Sequence, residues 1–236
     1  INKYRGIDNL ELQQKITSNL DYIENDHDIS ELFAVKDKAD YIICGAGPTL
    51  AEHYQFLKQA AEKGNYTIIA VDAAVIPLVQ AGIIPDIIVS IDPVAKKLFD
   101  DFALEQCKKV PLVYFPLGSV ELLACWQGPR YTAYSTGKLY NAICELHPKG
   151  RLYCGGSVMH PSVDLAVKMG AKKVYLFGAD FSFPDGKTHT HWQVDEYSDA
   201  IKRESSHWVL NGMNERVPTL LNYRGYLRDL EDFIAL

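Results

Sequence analysis

The stretch Tyr41-Ile42-Ile43-Cys44-Gly45-Ala46-Gly47-Pro48-Thr49-Leu50 constrains this chain more than any other. A short apolar run ends in a glycine-spaced turn, and the turn leads into Leu50 to Lys63, where Leu50, Tyr54, Leu57 and Ala61 recur at helical spacing. The order is strand, tight loop, helix. Glycines let backbone approach a ligand closely, and the N–H groups of a helix's first turn carry partial positive charge. Gly45, Ala46, Gly47, Pro48 and Thr49 are therefore a candidate anion-binding turn, with Pro48 suited to a first helical position and Thr49 adding a hydroxyl donor. No Gly-Lys-Ser/Thr follows, and Ala51 and Glu52 stand where the third glycine of a dinucleotide fingerprint would fall. Glycine used only to turn the chain fits the same residues equally well.

The segments beyond Lys63 repeat the theme. Thr67 to Asp72 and Asp86 to Pro93 are β-rich runs of the length of buried parallel strands, and a short helix at Ala73 to Ala81, closed by Gly82, separates them. Further strands are expected at Pro111 to Phe115, Arg130 to Tyr134, Gly150 to Cys154 and Lys173 to Phe177, with helices at Lys96 to Gln106 and Val158 to Met169. This alternation predicts an α/β fold: a Rossmann-like, mostly parallel sheet with helices on both faces. Asn211-Gly212 predicts a hairpin, and Pro218 onward a closing helix with Leu220, Tyr223, Leu227, Leu230 and Ile234 on one side. Before the sheet, Leu10, Leu12, Ile16, Leu20 and Ile23 predict a helix outside it, and Asp21 to Asp28 reads as a solvated connection. The domain division is 1–39, a helical extension, and 40–236, the nucleotide-binding domain.

Ligands of such sheets bind beyond the carboxyl ends of the strands. The residues there are Gly45 to Thr49, Asp72, Asp92, Gly155-Gly156-Ser157 and Gly178-Ala179-Asp180. Asp72 is a candidate for a ribose or base hydrogen bond, with helix capping as its alternative. Asp92, before Pro93, sits in a turn and can meet a nucleotide or a magnesium ion bound with substrate phosphates. Gly155, Gly156 and Ser157 open a second helix and offer either a second anion site or an N-cap; a structural role suits His160. In the polar loop after Asp185-Gly186, His189 and His191 lack a third ligand nearby and fit a general base better than a metal site.

Composition narrows the classes. With Asp+Glu 30 against Lys+Arg 24 the net charge is -6, which argues against broad nucleic-acid or anionic-membrane binding. Cys44, Cys107, Cys125, Cys144 and Cys154 are odd in number and lack paired zinc spacing, so reduced thiols and a cytoplasmic location are expected. No run has the length of a membrane span, and no signal peptide's charged start and apolar stretch opens the chain. It begins at Ile1 rather than methionine, so a longer parent protein stays open.

Cys44 to Leu50, Val71-Asp72-Ala73-Ala74, Gly82 to Asp86 with Ser90-Ile91-Asp92-Pro93, Gly155-Gly156-Ser157-Val158 and Gly178-Ala179-Asp180 together resemble the MAF domain of flagellar motility accessory factors. The likeness covers about residues 40 to 220. That group includes proteins resembling archaeal 6-hydroxymethylpterin pyrophosphokinase, and its core looks like that of bacterial CMP-sialic-acid transferases. The resemblance implies a glycosyltransferase that moves a CMP-linked nonulosonic sugar to a hydroxyl acceptor such as flagellin or a surface glycan. It implies a nucleotide site at Gly45 to Thr49, with Asp72 and Asp92 at positions where the sialyltransferases use asparagines, and Ser157 at their polar second turn. Asp180 matches their aspartate, and His189, then His191, their catalytic histidine. This chain has Ala46 where sialyltransferases favour asparagine, and it lacks their tyrosine near Ser182. The alternatives are diphosphate transfer from ATP to a pterin alcohol, with magnesium, and a nucleotide-binding module without turnover.

Overall fold

The computed structural model describes residues 9–33, 39–187 and 207–235. Seven strands run parallel in the central sheet: β1 (His27–Asp28), β2 (Asp40–Cys44), β3 (Tyr66–Val71), β4 (Ile87–Ser90), β5 (Leu112–Tyr114), β6 (Arg130–Thr132) and β9 (Lys173–Phe177). Their spatial order is β1-β6-β5-β4-β3-β2-β9. The expected Rossmann-like α/β architecture is what the chain adopts. Every residue of β4, and all of β2 after Asp40, is buried, as parallel strands covered on both faces must be.

From β2 the chain adds β3, β4, β5 and β6 on one side and then returns to lay β9 against the other side of β2. Parallel crossovers are right-handed, so this reversal of travel puts α9 (Met159–Lys168) on the face opposite α4 (Tyr54–Lys63) and α5 (Val75–Gln80). Shorter helices, α3 (Ser30–Phe33), α6 (Asp101–Gln106), α7 (Val120–Cys125) and α8 (Asn141–Leu146), lie in the other connections. The reversal also makes the boundary between β2 and β9 the switch point of the sheet, where diverging loops leave a crevice.

Four local expectations change. Gly150 to Cys154 does not enter the main sheet: β8 (Arg151–Leu152) pairs only with β7 (Tyr134–Ser135), a ribbon that begins where the Arg130 to Tyr134 run leaves the sheet after β6. The helix after the glycine turn starts as a 3-10 segment, Pro48–His53, before α4. The first helix is broken in two, α1 (Asn9–Ser18) and α2 (Leu20–Asn25). Asn19, 1% exposed, directs its amide to the carbonyls of Pro116 and Gly118, both at 2.9 Å. The hairpin of β10 (His207–Leu210) and β11 (Arg216–Thr219) turns through residues 211–215 rather than on Asn211-Gly212 alone. There the Asn211 carbonyl oxygen accepts from the amides of Met213 and Glu215, and Asn214 takes the left-handed conformation at φ 61.

Nor is Asp21 to Asp28 a solvated connection. Asp26 takes a bidentate pair from Arg130, Nε and Nη2 each at 2.8 Å, and a hydrogen bond from the Tyr114 hydroxyl. His27 and Asp28 then extend the sheet beyond β6, so the segment 1–39 supplies an edge strand as well as helices. All five cysteines are free, and among the described residues no helix is long and apolar enough to cross a membrane.

Candidate functional site

A cavity of about 550 Å³ lies at the carboxyl rim of the sheet, over the switch point. Gly45, Ala46, Gly47, Asp72, Asp92, Gly156, Ser157 and Asp180 all line it, so one crevice gathers residues from five separate stretches of sequence. Among the described lining residues the only charged side chains are the carboxylates of Asp72, Asp92 and Asp180. No group of three His, Cys, Asp or Glu among the described residues stands close enough to hold a metal ion. His189 and His191 lie outside the described residues.

The glycine turn is built differently from a phosphate cradle. Gly45 N–H donates to the Phe177 carbonyl and Gly47 N–H to the Gly178 carbonyl, both at 2.8 Å. Thr49 donates its N–H to Asp180 Oδ2 at 3.0 Å and its hydroxyl to Oδ1 at 2.6 Å. Asp180 therefore sits where an anion was expected at the helix start, and both its oxygens are engaged there. The amides of Gly45, Gly47 and Thr49 thus have partners within the protein, and the Asp180 carboxylate holds the turn through Thr49. The glycines answer to the same contact: a Cβ on Gly45 would overlap the Gly178 carbonyl, and one on Gly47 the Asp180 carboxylate. Pro48 and Thr49 stand behind this clamp and do not line the cavity; Gly155 faces a neighbouring one.

Asp72 follows β3 and is 4% exposed. It accepts from the Ser90 hydroxyl and the Ala73 amide, each at 2.8 Å, which ties the ends of β3 and β4 together. Burial pushes its carboxyl from 3.8 up to about 6, against those hydrogen bonds, and the neighbouring Asp92 adds to the rise. Among the described residues the Asp92 side chain accepts the Val94 amide, at 2.9 Å, on Oδ1, and its backbone carbonyl the Ala95 amide, in the turn expected before Pro93. At the second glycine turn Ser157 Oγ accepts the Met159 amide at 3.3 Å, and Gly156 holds φ +101. His160 is wholly buried, with Nε2 3.1 Å from the Tyr226 carbonyl and Nδ1 2.9 Å from the carbonyl oxygen and 3.2 Å from the amide nitrogen of Ser157. These contacts join α9 to α10 (Leu221–Ile234), a structural role.

The chain matches the family described as 6-hydroxymethylpterin diphosphokinase MptE-like over residues 14–186. It belongs to that family. No curated protein matches it. Among solved structures it is similar to the MAf glycosyltransferase from Magnetospirillum magneticum AMB-1, at 14% identity and a TM-score of 0.62, over 86% of this chain and 32% of that one. This chain thus spans about a third of that protein's length, and at such identity the likeness is one of fold.

The MptE-like match ends before one wall of the cavity. Leu220, Tyr223 and Tyr226, at the start of α10 and within it, close the crevice opposite the glycine turn. In the sequence Tyr223 reads as an apolar-side position of the closing helix and Tyr226 is not singled out; the 3-residue spacing that brings them together carries no separate signal of function. Two other lining residues were also missed. Phe181 holds φ 46, a strained value for a non-glycine residue, and is fixed there by the Thr219 hydroxyl donating to its carbonyl at 2.6 Å. Beside it Ser182 is 7% exposed, and its hydroxyl has no hydrogen-bond partner among the described residues.

Proposed function

We propose that this protein is a transferase that takes a group from a nucleotide-activated donor to a hydroxyl acceptor, with a CMP-linked nonulosonic sugar as the donor. The observation that carries the reading is the switch-point cavity, in which Asp72, Asp92, Ser157, Ser182, Tyr223 and Tyr226 converge from separate elements. Its volume of about 550 Å³ suits a ligand of nucleotide size. Since the amides of Gly45, Gly47 and Thr49 are engaged by Phe177, Gly178 and Asp180, the donor phosphate is assigned to the Ser182 hydroxyl and the phenols of the closing helix. Asp92, with one oxygen uncommitted, takes the ribose or base, while Asp72 shapes the floor.

In the reaction the acceptor oxygen bonds to the anomeric carbon as the bond from that carbon to the phosphate oxygen breaks. The electron pair leaves with CMP, and the hydroxyl proton passes to a base, His189 or His191. Charge develops on the sugar and on the leaving phosphate, so oriented donors matter more than a strong nucleophile. The acceptor, on the strength of the MAF resemblance, is a hydroxyl of flagellin or of a surface glycan.

The family match favours one second reading, transfer of a diphosphate from ATP to a pterin alcohol. The carboxylates of the cavity suit it too, because magnesium bound by one or two carboxylates and the substrate phosphates would balance their charge. A thermal-shift series with CMP, CDP, UDP, GDP, ATP and CMP-sialic acid, with and without magnesium, tests both, since a ligand that binds only the folded state raises the melting point. A shift with CMP and CMP-sialic acid, followed by release of CMP, supports sugar transfer. A strictly magnesium-dependent shift with ATP, followed by AMP when 6-hydroxymethylpterin is added, replaces it with the second reading. No shift with any nucleotide retires both.

A further inference from the structure

The loop that leaves β9 bends over the switch-point cavity. Asp180, Phe181, Ser182 and Phe183 are consecutive, and all four line it. An extended segment turns alternate side chains to opposite sides, so four lining residues in a row need a bend. Phe181 supplies it with φ 46, in the left-handed region that glycine enters freely and a phenylalanine enters only under strain.

The contacts that hold Phe181 there come from β11. Thr219 is wholly buried, and its hydroxyl donates to the Phe181 carbonyl at 2.6 Å, with a longer contact of 3.4 Å to the Leu220 carbonyl. Two residues on, the Phe183 amide donates to the Pro218 carbonyl at 2.9 Å, and the Phe183 ring, 1% exposed, lies 5.3 Å from the ring of Tyr223 on α10. These Phe183 contacts already fasten the loop to β11 and α10, so attachment alone does not require the bond from Thr219. What that bond fixes is the peptide unit between Phe181 and Ser182, and with it the direction in which the buried Ser182 faces the cavity. Strain held in place by a partner at a cavity wall points to a role for the residue it orients. Pro218, Thr219 and Tyr223 all lie beyond residue 186, where the family match ends.

We propose that Thr219 is a positioning residue for donor binding: through the strained Phe181 it aims the Ser182 hydroxyl at the phosphate of the nucleotide. The proposal deepens the transferase reading and rests on it for the identity of that phosphate. A hydroxyl set in place by the fold donates to the phosphate without first losing backbone and rotamer freedom, so the gain falls on the charged part of the ligand. A nucleoside without phosphate gains nothing from it.

The test compares CMP with cytidine by calorimetry on the whole chain, and the parent should bind CMP more tightly. Thr219→Val keeps the shape of the side chain and loses the donor; it should weaken CMP by about tenfold, the worth of one hydrogen bond to a charged group, and leave cytidine unchanged. Thr219→Ser, which keeps the hydroxyl, should bind CMP as the parent does. Adding Thr219→Val to Ser182→Ala should cost no more CMP affinity than Ser182→Ala alone, because the first acts through the second. A second pair leaves Thr219 in place. Phe181→Asn and Phe181→Val both remove the ring, but asparagine tolerates the left-handed region and a β-branched residue does not, so Phe181→Asn should bind CMP more tightly while the two bind cytidine alike. Equal weakening of CMP and cytidine, additive losses in the double variant, or equal CMP affinity for the two Phe181 variants overturns the proposal, while binding of CMP by the parent leaves the transferase reading standing. A parent that binds ATP instead is tested with ATP and adenosine in the same way. A parent that binds no nucleotide retires the transferase reading and this proposal with it.

Discussion

Thr49 and Asp180 show how a residue pair can resemble a ligand site and be a structural clamp. A carboxylate that accepts both an amide and a hydroxyl from one residue holds the helix start against the loop after β9. Thr49→Val keeps the amide contact, loses the hydroxyl, and should destabilise by about 1 kcal/mol; Asp180→Ala strands both donors and should cost about 2–3 kcal/mol. Urea denaturation of the two variants measures the difference. Asp72 makes a prediction of opposite sign to the usual carboxylate. Its folded value, about 6, lies above its ordinary 3.8, so the folded protein keeps a proton that the unfolded chain has released. The stability this contributes is present below 3.8 and is lost as pH rises through about 6. Melting temperature compared between the parent and Asp72→Asn should therefore show the parent's relative stability falling across that window and flat above it.

At the scale of elements, the glycine turn separates two reasons for a glycine. Gly47 has φ -63, which any residue can adopt, but a side chain there would run into Asp180. Gly64, at the end of α4, has φ 64 and open space around it. Gly64→Ala should cost about 1 kcal/mol, the penalty of the left-handed conformation alone. Gly47→Ala should cost about 3 kcal/mol or more, since backbone or Asp180 must move. Equal losses in chemical denaturation would mean that the clamp yields easily. The Gly-Ala-Gly spacing, the strand before it and the helix after it were legible in the sequence, because β-rich apolar runs and helical periodicity are local signals. That the turn's amides point at the next loop was not legible. Their partners are the Phe177 and Gly178 carbonyls and, for Thr49, Asp180, 131 positions away, and no local pattern encodes which loop a sheet will place beside the turn.

Over the whole molecule, the N-terminal segment is tied to the sheet by Asp26, whose side chain is 8% exposed and whose partner Arg130 is 24% exposed. Asp26→Ala would leave the guanidinium and the Tyr114 hydroxyl without this acceptor, and should destabilise by about 2–3 kcal/mol, less than for a wholly buried pair. It should also loosen β1 and expose the edge of β6, which limited proteolysis near Asp28 would detect. The family match covers both the tie and the sheet side of the first cavity, while the tyrosine wall comes from beyond residue 186.

The sequence by itself determined the alternation of strands and helices, the class of fold, and that Gly45 to Gly47, Asp72, Asp92, Ser157 and Asp180 end up on one rim. Periodicity and strand ends specify these, and both are properties of neighbouring residues. Only the tertiary structure decided which polar groups remain available at that rim and that Tyr223 and Tyr226 close it. A hydrogen bond such as that from Thr49 to Asp180 depends on residues far apart in the chain, and packing alone brings those together.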